Sequence, residues 1–190
     1  QDYFTWTDFK VLLHECVHAT SRTSITRVVK EGSFSIRSGH SSKAKKDIIE
    51  SGHGLNEAVT EKIAREIIKD NKEDILAKLP FLNETEYLEE SHPYDFFLDV
   101  FEEVIHGPTR DPMCEWIRFK LGHFDGRESH LRELDRIYGD GSRLMLELLG
   151  ADPRIREIGG DPVRAAAIKF YFECNNLVVR QELRRNILRK

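Results

Sequence analysis

The chain has 190 residues, of which 29 are lysine or arginine and 33 are aspartate or glutamate, and its formal net charge is −4. This balance gives no electrostatic reason to bind nucleic acid or an anionic membrane, and the sequence contains no apolar run long enough for a membrane span. The length suits one compact domain with a sizeable core. The cysteines, Cys16, Cys114 and Cys174, are odd in number and widely spaced, which favours a reducing, cytoplasmic environment over a disulfide framework.

The first predicted helix covers residues 9–19 and contains the pattern His-Glu-x-x-His. His14 and His18 are four positions apart, so they share one helical face and are separated by roughly 6 Å. Two imidazoles at this separation can bind one Zn²⁺, and Glu15 would point at water held by the same ion. Cys16 lies on a different face and is not expected to be a ligand. A chain of this composition can contain so short a pattern by chance, which leaves open that it is accidental.

A β-hairpin is predicted over residues 24–39, where apolar and polar residues alternate on both sides of a Glu-Gly turn. The polar run that follows, residues 38–46, is predicted to be a loop. A second helical pattern begins with Asn-Glu-Ala-Val-Thr-Glu at residues 56–61 and continues to about residue 69. Its two glutamates, Glu57 and Glu61, are one turn apart and share one helical face.

Together, the His-Glu-x-x-His helix and the Asn-Glu-Ala-x-Thr-Glu helix resemble those of the gluzincin metallopeptidases, the thermolysin-like group, over residues 9–69. The resemblance implies that His14, His18 and Glu57 bind a zinc ion. It also implies that Glu61 hydrogen-bonds a ligating histidine, with His14 the first candidate. Such an outer carboxylate fixes the tautomer of the imidazole and raises its basicity.

The same resemblance implies an enzyme that hydrolyses peptide bonds in a peptide or protein substrate. Glu15 would be the general base, which accepts a proton from zinc-activated water and returns it to the leaving amine. Members of this family generally add a tyrosine or histidine that hydrogen-bonds the developing oxyanion. The nearest downstream residues of that chemistry are Tyr94, His92 and Tyr87, and the sequence does not choose among them.

The remainder of the chain is helical in pattern. Helices are predicted over residues 73–79, 94–105, 113–121, 129–138, 142–149 and 162–188. The prolines fall between these segments or at their starts, where proline is tolerated. The glycine-rich residues 138–142 lack the Lys-Ser/Thr that completes a phosphate loop, so they are interpreted as an interhelical turn. The histidines outside the first motif are expected at surface or helix-capping positions.

We therefore expect a mainly α (α+β) fold with zincin-like active-site helices, a small β-hairpin and a C-terminal helical region. Residues 1–79 would form the metal-binding core and residues 80–190 a helical region packed on it, in the same compact domain. Because the first helix begins close to Gln1, we expect a domain excised or processed from a longer protein. Two other functions stay open: a structural zinc site in a binding domain, which a further protein ligand would indicate, and a non-catalytic helical interaction domain.

Overall fold

The computed structural model describes residues 4–28, 33–44, 50–82, 94–107, 111–149 and 162–188. Over these ranges the protein is mainly α-helical with a small antiparallel sheet, which confirms the expected fold class. The elements in chain order are α1 Trp6–Thr20, β1 Thr23–Val28, β2 Ser33–Ser38, β3 Ser41–Ala44, β4 Glu50–Ser51, α2 His53–Lys78, α3 Asp95–Ile105, α4 Pro112–Asp125, α5 Ser129–Tyr138, α6 Ser142–Glu147, α7 Pro162–Glu173 and α8 Leu177–Leu188.

Helix α1 begins with a capping box that joins the side chains and backbones of Thr5 and Asp8. The Asp8 backbone N–H donates to Thr5 Oγ1 at 3.2 Å, and the Thr5 backbone N–H donates to Asp8 Oδ2 at 2.7 Å. Two backbone donors that the helix leaves unused are thereby satisfied. The helix buries Trp6, His14 and Val17 on one side. The capping box thus fixes where the histidine-bearing helix starts, and the buried side chains fix which face it turns inward.

The sheet has the strand order β1-β2-β3-β4, with every neighbouring pair antiparallel. The predicted hairpin corresponds to β1 and β2, and its turn, residues 29–32, lies outside the described residues. The loop predicted over residues 38–46 is wrong in its middle, because β3 pairs with β2 there and Ser38 lies opposite Ser41. Gly39 has a φ of 55°, which the first position of such a two-residue turn requires and which glycine adopts freely.

Helix α2 is longer than the sequence predicts and includes residues 73–78 of the segment predicted separately over residues 73–79. The two segments join at a kink, where Asn71 has a φ of −121° and a ψ of 15° and its side-chain amide donates to the Ile67 carbonyl at 2.8 Å. Residues 54–61 are all buried, because this first part of α2 packs against α1 and α3. The helix therefore carries Glu57 and Glu61 into the interior.

The main hydrophobic core joins residues from before and after residue 80, among them Leu55, Phe101, Leu134 and Ile168. The single closing helix predicted over residues 162–188 is wrong, since α7 and α8 are separated by residues 174–176. The Asn176 side-chain oxygen accepts hydrogen bonds from the backbone N–H groups of residues 178 and 179 at 3.0 and 3.3 Å. Asparagine is strongly preferred at the N-cap position, so Asn176 favours the start of a new helix here.

The glycine-rich residues 139–141 connect α5 to α6, as predicted for an interhelical turn. Within the described part of the chain, no helix combines the length and the apolar character that crossing a membrane requires.

Candidate metal centre

Helices α1 and α2 bring three side chains with metal-binding atoms together. His14 Nε2 lies 3.0 Å from His18 Nε2 and 3.0 Å from Glu57 Oε2. His18 Nε2 lies 3.2 Å from the same oxygen of Glu57. The two histidines meet because they are one turn apart on α1, and Glu57 meets them because the start of α2 packs on that face. These three residues form a group that could hold a metal ion.

The spacing and chemistry of this group fit a small divalent cation. A tetrahedral zinc ion with bonds of about 2.0–2.2 Å separates its ligand atoms by about 3.4 Å. The three separations here, 3.0, 3.0 and 3.2 Å, differ from that value by only a few tenths of an ångström. Two imidazole nitrogens and one carboxylate oxygen are also a ligand set found in catalytic zinc sites.

The second nitrogen of His14 contacts a buried carboxylate. His14 Nδ1 lies 3.1 Å from Glu61 Oε2, and the side chains are 3% and 6% exposed. A proton on Nδ1 that is donated to this carboxylate leaves the lone pair on Nε2, where the metal group lies. The structure therefore places Glu61 where it can set the tautomer of His14.

The second nitrogen of His18 lies against two other residues of α2. His18 Nδ1 is 3.2 Å from the side-chain nitrogen of Asn56 and 3.3 Å from the Thr60 hydroxyl. The Asn56 side-chain oxygen accepts a hydrogen bond from the His40 backbone N–H at 2.9 Å. Neither Asn56 nor Thr60 was predicted to be a site residue. Both lie within the Asn-Glu-Ala-Val-Thr-Glu pattern and are four positions apart. This helical spacing was the sequence feature that could have indicated their shared role.

His14 and Glu57 are both buried, and each has a pKa shifted toward its charged form. Burial lowers the pKa of His14, but hydrogen bonds to Glu57 and Glu61 outweigh it and raise the pKa to about 9. Burial raises the pKa of Glu57, but hydrogen bonds from His14 and His18 outweigh it and lower the pKa to about 2. Without a metal ion, His14 is thus protonated and Glu57 ionised at neutral pH. The site holds positive charge in a buried, carboxylate-lined position.

Of the three candidate oxyanion donors, the structure brings Tyr94 to the group. The rings of Tyr94 and His14 are stacked, with centroids 5.1 Å apart and planes inclined by 17°. Burial raises the pKa of Tyr94 to about 12, with further contributions from the charges of Glu57 and Glu15 and a side-chain hydrogen bond with Glu57. The hydroxyl therefore keeps its proton at neutral pH. The other two candidates, Tyr87 and His92, lie outside the described residues.

Glu15 is exposed on α1 and is not one of the three residues in the metal group. Its negative charge contributes to the raised pKa of Tyr94. His53, which was expected at a surface or helix-capping position, is the first residue of α2 and places Nδ1 3.5 Å from Oε1 of Glu57. The second oxygen of Glu57 thus faces a further imidazole.

The surface or capping positions expected for the other histidines are wrong for His40, His123 and His130, which are all buried. The His40 ring lies 6.0 Å from the His123 ring and 5.4 Å from the His130 ring, measured between centroids. Burial lowers the pKa of His123 to about 4 and that of His40 well below its usual value. Their ring nitrogens are not part of the metal-binding group. We refer to these three residues as the histidine cluster.

Comparisons with protein-family models, with curated proteins and with solved structures found no match for this chain. They therefore assign no family. The candidate metal centre is defined by its own geometry.

Proposed function

We propose that the protein is a zinc-dependent metallopeptidase, in which His14, His18 and Glu57 hold the ion and Glu15 is the general base. The observation that carries the proposal is the convergence of two imidazole Nε2 atoms and one carboxylate oxygen, at separations of 3.0 to 3.2 Å. The resemblance of the two motifs to those of gluzincins supports the choice of zinc and of peptide hydrolysis.

The exposure of the group supports a catalytic role over a structural one. His18 is 22% exposed, whereas His14 and Glu57 are 3% and 7% exposed. One side of the group is therefore buried in protein and the other is open to solvent. A structural zinc ion is enclosed by four protein ligands, while a catalytic one keeps a position for water or substrate. Across residues 4–28, 33–44, 50–82, 94–107, 111–149 and 162–188, the group contains three ligands.

Each surrounding residue has a defined task in this reaction. A bound zinc ion supplies Lewis acidity, which polarises a carbonyl oxygen and lowers the pKa of water to about 7. Glu15 accepts the proton of the attacking water and returns it to the leaving amine. Glu61 orients His14 through Nδ1, and Asn56 and Thr60 orient His18.

Tyr94 is the oxyanion donor in this proposal. Its ring already stacks on His14, which places the side chain beside the metal group. A pKa raised to about 12 keeps the hydroxyl protonated, so it can donate a hydrogen bond to a developing negative charge.

Replacing the general base tests the enzyme proposal without removing a ligand. Glu15→Gln is expected to keep the fold and the zinc, and to reduce hydrolysis of fluorogenic peptides by roughly 100- to 10,000-fold. Glu73→Gln, which changes an exposed glutamate near the far end of α2, serves as the matched control and is expected to retain full activity. A Glu15→Gln variant that hydrolyses peptides as fast as the parent would overturn the mechanism.

A further inference from the structure

Glu61, which contacts His14, is linked through Arg65 to Asp95 of helix α3. Glu61 uses Oε2 to contact His14, and its other oxygen, Oε1, accepts a hydrogen bond from Arg65 Nε at 2.6 Å. The Arg65 guanidinium also donates, through Nη2, to a carboxylate oxygen of Asp95. One guanidinium therefore joins α2 to the first residue of α3.

The contact with Asp95 matters because of the residue that precedes it. Tyr94 is the residue at the N-terminal boundary of α3, and its ring stacks on the ring of His14. Fixing the start of α3 fixes where the Tyr94 ring lies. His14 is thus supported on two sides, at Nδ1 by Glu61 and on its ring face by Tyr94. Arg65 contacts Glu61 directly and the Tyr94 segment through Asp95.

We propose that Arg65 is a positioning residue of the metal centre, which orients His14 by holding Glu61 and the start of α3 in place. The inference rests on the proposed zinc-binding function. Arginine suits this task because its planar guanidinium presents several donors in a fixed arrangement, so it can hold two carboxylates at once. Lysine carries a single point charge on a flexible stem and would hold one carboxylate at a time.

A second ion pair provides a matched comparison for Arg65. Arg118 Nη1 donates to Glu115 Oε1 at 2.8 Å on α4, and the two side chains are 53% and 6% exposed. The pair of Arg65 and Glu61 has nearly the same exposure, 45% and 6%. Helix α4 supplies no member of the metal group, so removing Arg118 changes a comparable ion pair without touching the support of His14.

The test measures zinc affinity by chelator competition in variants of the full chain. Arg65→Gln is expected to weaken zinc binding by about 10-fold, the lower end of what outer-shell changes cost. Arg118→Gln is expected to bind zinc like the parent, and Arg65→Lys is expected to lie between the two. In a Glu61→Gln background, most of the effect of Arg65→Gln should disappear, because Arg65 acts largely through that carboxylate. A general loss of stability would not depend on residue 61 in this way.

A second measurement uses the metal-free protein and so does not depend on zinc. The Nδ1 proton that His14 donates to Glu61 should give a nuclear magnetic resonance signal protected from exchange with water. Arg65→Gln is expected to speed that exchange, whereas Arg118→Gln is not. Equal zinc affinities for the Arg65→Gln and Arg118→Gln variants, or equal exchange rates, would overturn the role of Arg65 and leave the metal centre standing. A parent that binds no zinc would overturn the metal centre, and the exchange measurement would then decide the role of Arg65 alone.

Discussion

The metal centre and the histidine cluster both bury histidine side chains, but they shift the pKa of the imidazole in opposite directions. His14 and His123 are 2% and 0% exposed, so burial opposes a charge on both. The pKa of His14 nevertheless rises to about 9, while that of His123 falls to about 4. The difference comes from the neighbours of each ring. Two carboxylates hydrogen-bond His14, whereas at His123 the charge of His18 adds to the effect of burial, and the Val17 carbonyl and the charge of Glu57 offset that effect only in part.

The metal centre therefore stabilises positive charge on a buried imidazole, and the histidine cluster disfavours it. A buried imidazole beside carboxylates occupies a place where positive charge is stabilised, and a metal ion can take over that charge. A buried imidazole among other imidazoles is disfavoured as a cation, and the pKa values of His40 and His123 are accordingly lowered. Burial of a histidine is therefore not a sign of metal binding. The carboxylates beside it are.

The largest expected effect comes from removing the carboxylate that completes the metal group. Glu57→Ala takes away the oxygen that both imidazoles face, at 3.0 and 3.2 Å. We expect the variant to lose most of its bound zinc, as measured by elemental analysis after zinc-supplemented expression and gel filtration. Zinc content equal to that of the parent would show that Glu57 is not a ligand.

A smaller effect is expected from the carboxylate on the other side of His14. Glu61→Ala leaves all three ligands in place and removes the partner of His14 Nδ1. Zinc affinity, measured by chelator competition, is expected to fall by roughly 10- to 100-fold. A loss as complete as that of Glu57→Ala would mean that Glu61 itself binds the metal.

The smallest expected effect concerns the pH dependence of stability. This dependence should have opposite signs at the metal centre and at the histidine cluster. The raised pKa of His14 makes a contribution to stability that is complete below about pH 6.5 and is lost as the pH rises through about 9. The lowered pKa of His123 makes a contribution that is present above about pH 6.5 and is lost as the pH falls through about 4.

Urea unfolding of the metal-free protein at several pH values measures both contributions. His14→Gln is expected to flatten the decline on the alkaline side, and His123→Leu the decline on the acid side. Each variant acts as the control for the other. If His14→Gln left the alkaline decline unchanged, the charge assigned to the metal group would be wrong.

Much of the candidate site was predictable because it depends on local helical spacing. A turn of helix separates His14 from His18 and Glu57 from Glu61, so the sequence indicates which of these side chains share a face. The structure then places Glu57 against both histidines. Arg65 lies one further turn along the same face as Glu61, and its role depends on Asp95 of another helix. That contact joins residues far apart in the sequence, so local spacing could not predict it.

The errors in the fold have the same origin. Strand β3 is formed by backbone hydrogen bonds to β2, and its polar side chains carry no strand signal. The break between α7 and α8 follows from the capping side chain of Asn176, in a stretch whose apolar spacing continues on both sides. The burial of His40, His123 and His130 depends on which helices pack around them. Local sequence indicates what an element is, and the packing of distant elements decides what it buries.

X-ray anomalous scattering at the zinc edge tests the central claim most directly, because it reports the metal and its ligands together. For crystals of the protein expressed with zinc, we expect about one zinc ion per chain, bound by Nε2 of His14, Nε2 of His18 and a carboxylate oxygen of Glu57. Crystals without zinc, or with zinc held by other residues, would contradict it.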